Sequence, residues 1–374
     1  MTDSPNQSVL FNPARIGAVE VTNRFIRSAT CEFMADDDGF VTDRLVSLLR
    51  GLAEGEVGLI ITGHANVRPD GKASPRQAGV YDDGFIPGLA RIAEAVHRFP
   101  SRIFLQIAHA GRQTKVRLSN GTPIAPSPVY EPEFDLTPRE LTAVEVREVM
   151  DDFIRAARRA REAGFDGVQL HCAHGYLLSS FLSPHTNRRT DDWGGTTAKR
   201  ALLAVEIVAG IKAACGPNFP VMAKLNATDF LPGGLQIEES LEIAGLLERA
   251  GLDAVEISGG MTEAGRGSVW QGLRAEEEEG YFVEAAARFR KALGIPVAGL
   301  GGNRTLARME AVVREGRADF ISLSRPLIRE PRLVADFRLG RKAKSDCISC
   351  NKCFNPRGVS CGDLRISRHI PTKK

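Results

Sequence analysis

The 374 residues read as one parallel (β/α)8 TIM barrel, an α/β fold, that ends in a short cysteine-rich tail. Eight short apolar runs rich in branched residues alternate with segments whose apolar residues recur at helical spacing, and no break in composition separates them. Long polar loops follow the third and sixth runs, on the side where barrel enzymes build their sites. The sequence lacks the GxGxxG turn that marks a doubly wound sheet and also the phosphate-loop pattern GxxxxGK.

Residues 1–24 precede the barrel and are expected to cap its bottom. The first strand is read in FIRSAT (25–30), followed by the helical pattern RLVSLLRGLAEG; GLIITGHANV (58–67) and LARIAEAVHRF form the second pair. RIFLQIAH (102–109) is the third strand, with a proline-rich loop from Arg112 to Pro138 before the helix VMDDFIRAARRAREAG. GVQLHCAH (167–174) and ALLAVEIVAGIKAA come fourth, PVMAKLNA (220–227) and SLEIAGLLERAG fifth. AVEISGG (254–260) is the sixth strand; a long loop from Met261 to Gly280 leads to FVEAAARFRKALG. PVAGLGG (296–302) and DFISLSR (319–325) close the set. Several helical segments end at glycine, which supplies the left-handed residue that stops a helix. The chain divides into a barrel over 1–340 and a tail over 341–374.

Composition narrows the function. With 43% hydrophobic residues, a core of this size is easily filled. A net charge of +3 with both signs interleaved leaves no basic face, so no nucleic-acid partner is expected. No apolar run approaches the roughly 20 residues of a membrane span, and MTDSPNQSVL has no signal-peptide pattern, so a cytoplasmic location without membrane contact is expected. Seven cysteines are too few and too unevenly placed for a disulfide framework.

Side chains alternate along a strand, so Met222, Lys224 and Asn226 share one face and Val221, Ala223 and Leu225 the other. One face of the fifth strand therefore carries a lysine. Gln106 likewise interrupts the third run, Gln169 and His171 share a face of the fourth, and His174 falls on the turn beyond. Amide, ammonium and imidazole groups thus converge on one end of the barrel, as around a polar, electron-rich ring. The seventh and eighth strands end in LGGNRT and SLSRPL, where exposed glycine N–H groups beside Arg325 suit a phosphate.

LFNPARIGAVEVTNRFIRSAT, LQIAHAGR, HCAHGYLLSSFLSPHTNRRTDDWGG and SRPLIREP resemble signatures of the old yellow enzyme family of FMN-dependent ene-reductases, also called NADH:flavin oxidoreductases, and the resemblance covers residues 10 to about 340. It implies FMN at the C-terminal mouth, reduced by NADH or NADPH, with hydride passing from flavin N5 to the β-carbon of an activated alkene. By that likeness His171 and His174 match the pair that binds the substrate carbonyl oxygen, and Tyr176 the proton donor to the α-carbon. Gln106 and Lys224 match the contacts to the flavin pyrimidine edge, Lys224 standing where relatives often have arginine. Gly301, Gly302, Ser324 and Arg325 match the phosphate site. Ala29 and Thr30 lie against the ring, with Cys31 near N5 and O4. His64 stands where relatives usually have a small residue, and Phe33 at a substrate-pocket position.

In CISCNKCFNPRGVSC, two overlapping CxxC steps and a fourth cysteine place Cys347, Cys350, Cys353 and Cys361 at metal-ligand spacing. The tail resembles that of the dienoyl-CoA reductase and trimethylamine dehydrogenase branch, which implies a four-iron four-sulfur cluster; zinc is the alternative. The expected function is NAD(P)H-driven reduction of an enone or enoyl thioester in a homo-oligomer, with a redox protein as a further partner. The alternatives are amine dehydrogenation or N-demethylation, and an electron-transfer subunit.

Overall fold

The computed structural model of the chain describes residues 8–119, 121–265 and 267–367. Parts of the expected cap and tail, residues 1–7 and 368–374, lie outside them, as do single positions in the two long loops. Each of the eight apolar runs contains a barrel strand: β1 (Phe25–Arg27), β2 (Leu59–Ile61), β3 (Arg102–Ala108), β4 (Gly167–Cys172), β5 (Val221–Asn226), β6 (Ala254–Ser258), β7 (Val297–Gly299) and β8 (Phe320–Leu323). Consecutive strands pair in parallel, and β8 pairs with β1 through Ile321 opposite Phe25, which closes the barrel.

The helices are α1 (Asp43–Glu54), α2 (Ile86–Val96), α3 (Ala143–Glu162), α4 (Leu177–Leu182), α5 (Thr197–Cys215), α6 (Ile237–Arg249), α7 (Val283–Ala292), α8 (Leu306–Arg314), α9 (Arg325–Arg329), α10 (Leu333–Arg338) and, in the tail, α11 (Gly362–Ser367). Local chemistry sets their starts. Thr142 accepts from the Glu145 N–H while the Glu145 side chain returns to the Thr142 N–H, a reciprocal cap that satisfies two orphan donors of α3. Val146, Val149, Phe153 and Ala157 on its inner face are fully buried against the strands, each large apolar side chain contributing about 1.5–3 kcal/mol.

The alternation along β5 holds. Val221, Ala223 and Leu225 face the helix layer, and Met222 lies inside the barrel with Ile26, Leu59, Ile61, Phe104, Ala254, Ala298 and Phe320. Ile16 and Val21, from a hairpin of Ala14–Ile16 and Val19–Val21, complete this inner apolar layer. The hairpin lies at the strand starts, because Arg102 donates to the Glu20 carbonyl and Gly17 abuts Asp253. With the lower end closed by apolar packing, the polar side chains nearer the strand ends are left to form the opposite mouth. Among the described residues no helix is long and apolar enough to cross a membrane.

Candidate active site

A cavity of about 200 Å³ opens at the C-terminal ends of the strands. Of the residues expected at the site, Ala29, Thr30, Cys31, His64, Gln106, His171, His174, Tyr176, Lys224, Gly302, Ser324 and Arg325 line it. It shares Val269, Tyr281 and Asn303 with a wider cavity of about 850 Å³. Two expected residues are placed differently. Gly301 is not among the lining residues; its carbonyl accepts from Gly280 and Tyr281, which ties the β7 end to the loop after β6. Phe33 is half-buried with left-handed backbone (φ 53°) and is also absent from the lining.

The floor is a buried polar network. Lys224 opposes His171 on one side and Glu256 on the other in strand register. Its ammonium lies 3.2 Å from Glu256 Oε2 and donates to Ser28 Oγ at 2.9 Å. Gln169 Nε2 donates to the same carboxylate oxygen at 3.0 Å, and Gln106 Nε2 donates to Gln169 Oε1 at 2.8 Å. Glu256 and Gln169 are both 0% exposed. Glu256 was invisible to the sequence reading as a site residue, although a lone carboxylate within AVEIS was its signal.

Above the floor stand imidazoles and a phenol. The His171 and His174 rings are 5.2 Å apart and perpendicular; Tyr176 lies 4.4 Å from His171, and His64 lies 5.3 Å from Tyr176. His174 takes a left-handed backbone (φ 65°), held by Asn226 Oδ1 accepting its N–H. Its Nε2 pairs with Ser258 Oγ at 2.7 Å. Burial disfavours the imidazolium, lowering His64 to about 4 and His174 to about 3, and puts His171 well below the usual histidine range; Lys224 adds to each. All three are neutral at pH 7. Burial likewise raises the Tyr176 phenol and pushes the Cys31 thiol up to about 12, so both keep their protons.

At the far end Ser324 Oγ pairs with Thr30 Oγ1 at 2.8 Å. Gly302 has φ 71°, a left-handed backbone that favours glycine, and a Cβ there would press on Leu273 Cδ1 at 2.3 Å. Asn303, unforeseen in the sequence, holds the Gly299 and Ser322 carbonyls and thereby fastens β7 to β8. Arg325 Nη1 donates to Trp270 O and Asn351 Oδ1, each at 2.8 Å.

Cys347, Cys350, Cys353 and Cys361 line one small cavity that also includes Arg325. Among the described residues, no three histidine, cysteine, aspartate or glutamate side chains are grouped so as to hold a metal ion.

The curated relatives include the NADH oxidase of Thermoanaerobacter brockii, 39% identical over 94% of this chain and 54% of the relative. The 4,4'-dithiodibutanoate disulfide reductase of Rhodococcus erythropolis is 34% identical over 95% of this chain and 94% of its own length. Among solved structures, a 2-naphthoyl-CoA reductase in complex with 2-naphthoyl-CoA superposes with a TM-score of 0.87 at 31% identity, over 92% of this chain and 54% of the other. The chain therefore spans about half the length of the NADH oxidase and of that reductase. The model of the NADH:flavin oxidoreductase / NADH oxidase family matches residues 9–344, nearly the whole barrel with its mouth, and the chain belongs to that family.

Proposed function

We propose that the protein is an FMN-dependent NAD(P)H oxidoreductase that reduces the activated C=C bond of α,β-unsaturated carbonyl compounds or enoyl thioesters. The observation that carries this reading is one cavity lined at once by Gln106, Lys224, Gly302 and Arg325 and by Cys31, His171, His174 and Tyr176. The donor set fits FMN. Lys224 supplies a cation for the pyrimidine edge, Gly302 a cavity-lining backbone in a left-handed conformation that favours glycine, and Arg325 a cation for the phosphate. FMN, when bound, supplies hydride transfer between NAD(P)H and the alkene carbon.

The protein's own groups do the rest. Neutral His171 and His174 donate N–H bonds to the substrate carbonyl oxygen and stabilise the negative charge that gathers there as the double bond is reduced. For His174 this requires the Nδ1–H tautomer, with the Ser258 hydroxyl donating to Nε2. Tyr176, kept protonated by burial, hands its proton to the α-carbon. The name of the 2-naphthoyl-CoA reductase, solved with 2-naphthoyl-CoA, supports a thioester among the substrates.

We further propose that the region after residue 340 acts as a separate functional unit, its four cysteines holding an iron–sulfur cluster. Four thiolates on one zinc ion must all lie about 2.3 Å from a single point, whereas a cluster spreads its cysteines around a larger body. That Cys347, Cys350, Cys353 and Cys361 all line one small cavity supports a common site for them.

Anaerobic stopped-flow tests the function. Flavin reduced by NAD(P)H is expected to be reoxidised by members of an enone panel, and Tyr176→Phe to slow that step by about 10²–10⁴-fold while leaving reduction by NAD(P)H intact. A panel in which no enone reoxidises the flavin overturns the reading.

A further inference from the structure

The buried floor contains a residue that the proposed chemistry does not use. Glu256 is 0% exposed and is not among the residues that line the cavity, yet the contacts of Lys224 and of the Gln106–Gln169 chain beneath it end on this carboxylate. Its Oε2 receives Lys224 at 3.2 Å and the Gln169 amide at 3.0 Å, while Gln169 Oε1 receives the Gln106 amide at 2.8 Å.

The direction of this chain is forced. Burial alone would raise the Glu256 carboxyl, but Lys224 and the hydrogen bonds it accepts outweigh that and hold it below the usual value, so it is an ionised acceptor. A carboxylate has no proton to give, so Gln169 must present its NH2 to it. That turns the Gln169 oxygen toward Gln106, which must answer with its own NH2. That leaves the Gln106 oxygen, an acceptor, and the second N–H of its amide for the cavity. Lys224 is constrained in the same way: with one N–H directed at Glu256 and one given to Ser28, a single N–H remains for a ligand.

We propose that Glu256 is a positioning residue for the flavin pyrimidine: it turns the Gln106 oxygen to meet the FMN N3–H, aims the third Lys224 proton at the N1 and O2 edge, and balances that lysine's charge. This rests on the FMN reading given above. A pyrimidine edge presents an N–H donor between two carbonyl acceptors, and the fixed acceptor at Gln106 beside the fixed donor at Lys224 complements two neighbouring positions of it. The balanced charge also limits how strongly Lys224 stabilises the anionic reduced flavin, keeping it a ready hydride donor.

The test uses the FMN-loaded protein, with flavin dissociation followed by fluorescence and the midpoint potential measured by spectroelectrochemistry. Glu256→Gln is expected to weaken FMN binding at least tenfold, because the amide chain is then free to reverse, and to shift the midpoint to more positive values, because Lys224 is no longer balanced. Gln169→Leu introduces no unpaired charge and covers the case in which Glu256→Gln fails to fold. It is expected to weaken FMN binding and leave the midpoint in place. Glu256→Asp, which keeps the charge, is expected to retain the wild-type midpoint. Wild-type affinity in both Glu256→Gln and Gln169→Leu, or a midpoint in Glu256→Gln that stays or moves negative, overturns the proposal. Failure of the wild-type protein to bind FMN would instead overturn the functional reading on which it rests.

Discussion

At the scale of single residues, the mouth is governed by burial acting on imidazoles. His64 falls to about 4, His174 to about 3 and His171 well below the ordinary 6.5, with desolvation the largest cause in each case. Their folded values lie below the unfolded value, so as pH drops below 6.5 the unfolded chain takes up protons that the folded chain refuses. Stability should therefore be level above pH 7 and fall from pH 6.5 toward 5, by about 1.4 kcal/mol per pH unit for each histidine at full difference. Urea unfolding of the flavin-free protein across that range measures it, and His64→Asn should reduce the slope. A flat profile would mean that the imidazoles are protonated in the fold. The residues of this layer were legible to different degrees. Lys224 and Gln106 announced themselves by interrupting apolar strands, and alternation placed them inward. Glu256 lies in an equally apolar strand, but its meaning depends on Lys224 and Gln169, which strands 5 and 4 bring to it from distant parts of the chain.

At the scale of elements, the barrel was readable because the strands are short branched runs and most of the outer helices carry one apolar stripe, two periods that do not mimic each other; α4, buried on every side, is the exception. All eight strands fall within the runs read from the sequence. Loop geometry was less accessible. Gly301 and Gly302 both read as phosphate contacts; the structure ties the Gly301 carbonyl to the loop after β6 and puts Gly302 in the cavity wall. Gly301 packs against the Tyr281 and Phe282 backbone and Gly302 against Leu273 and the Tyr281 ring, residues from a part of the chain that the motif itself does not show. Gly302→Ala tests the consequence. A Cβ at φ 71° and 2.3 Å from Leu273 must displace either the backbone or that leucine, and left-handed strain adds about 1–2 kcal/mol. FMN affinity is expected to fall roughly tenfold or more while the circular dichroism of the barrel is retained. Wild-type affinity would place the phosphate elsewhere.

At the scale of the whole molecule, the tail is stitched across the barrel mouth through side chains such as Lys344 on Glu276 and Arg329 on Asp363 and also through backbone groups, which leave no mark in a sequence. Ser345 N–H bonds to Arg304 O, Val359 N–H bonds to Glu32 O, and the Thr305 to Lys344 bridge aligns the tail with the β7 end. The cysteine spacing could be read from the chain; the docking could not. Its centre is Arg325, which lines both the flavin-site cavity and the cysteine cavity. Asn351, set between Cys350 and Cys353, orients this arginine through Oδ1 at 2.8 Å, and Ser349 O adds a contact at 3.4 Å. Whatever fixes the cysteines therefore fixes the cation assigned to the phosphate. With the proposed cluster in place, replacing Cys350 and Cys353 together by serine should abolish bound iron and also lower FMN affinity, by roughly 10- to 150-fold if one charge-assisted hydrogen bond of about 1.5–3 kcal/mol is lost at Arg325. Iron and released flavin quantified on the same anaerobic samples provide the check. Asn351→Ala separates the two effects, since it should reduce flavin affinity with iron retained. Full flavin affinity in both variants would show that the arginine is positioned by the barrel alone, through the Trp270 carbonyl that it also holds.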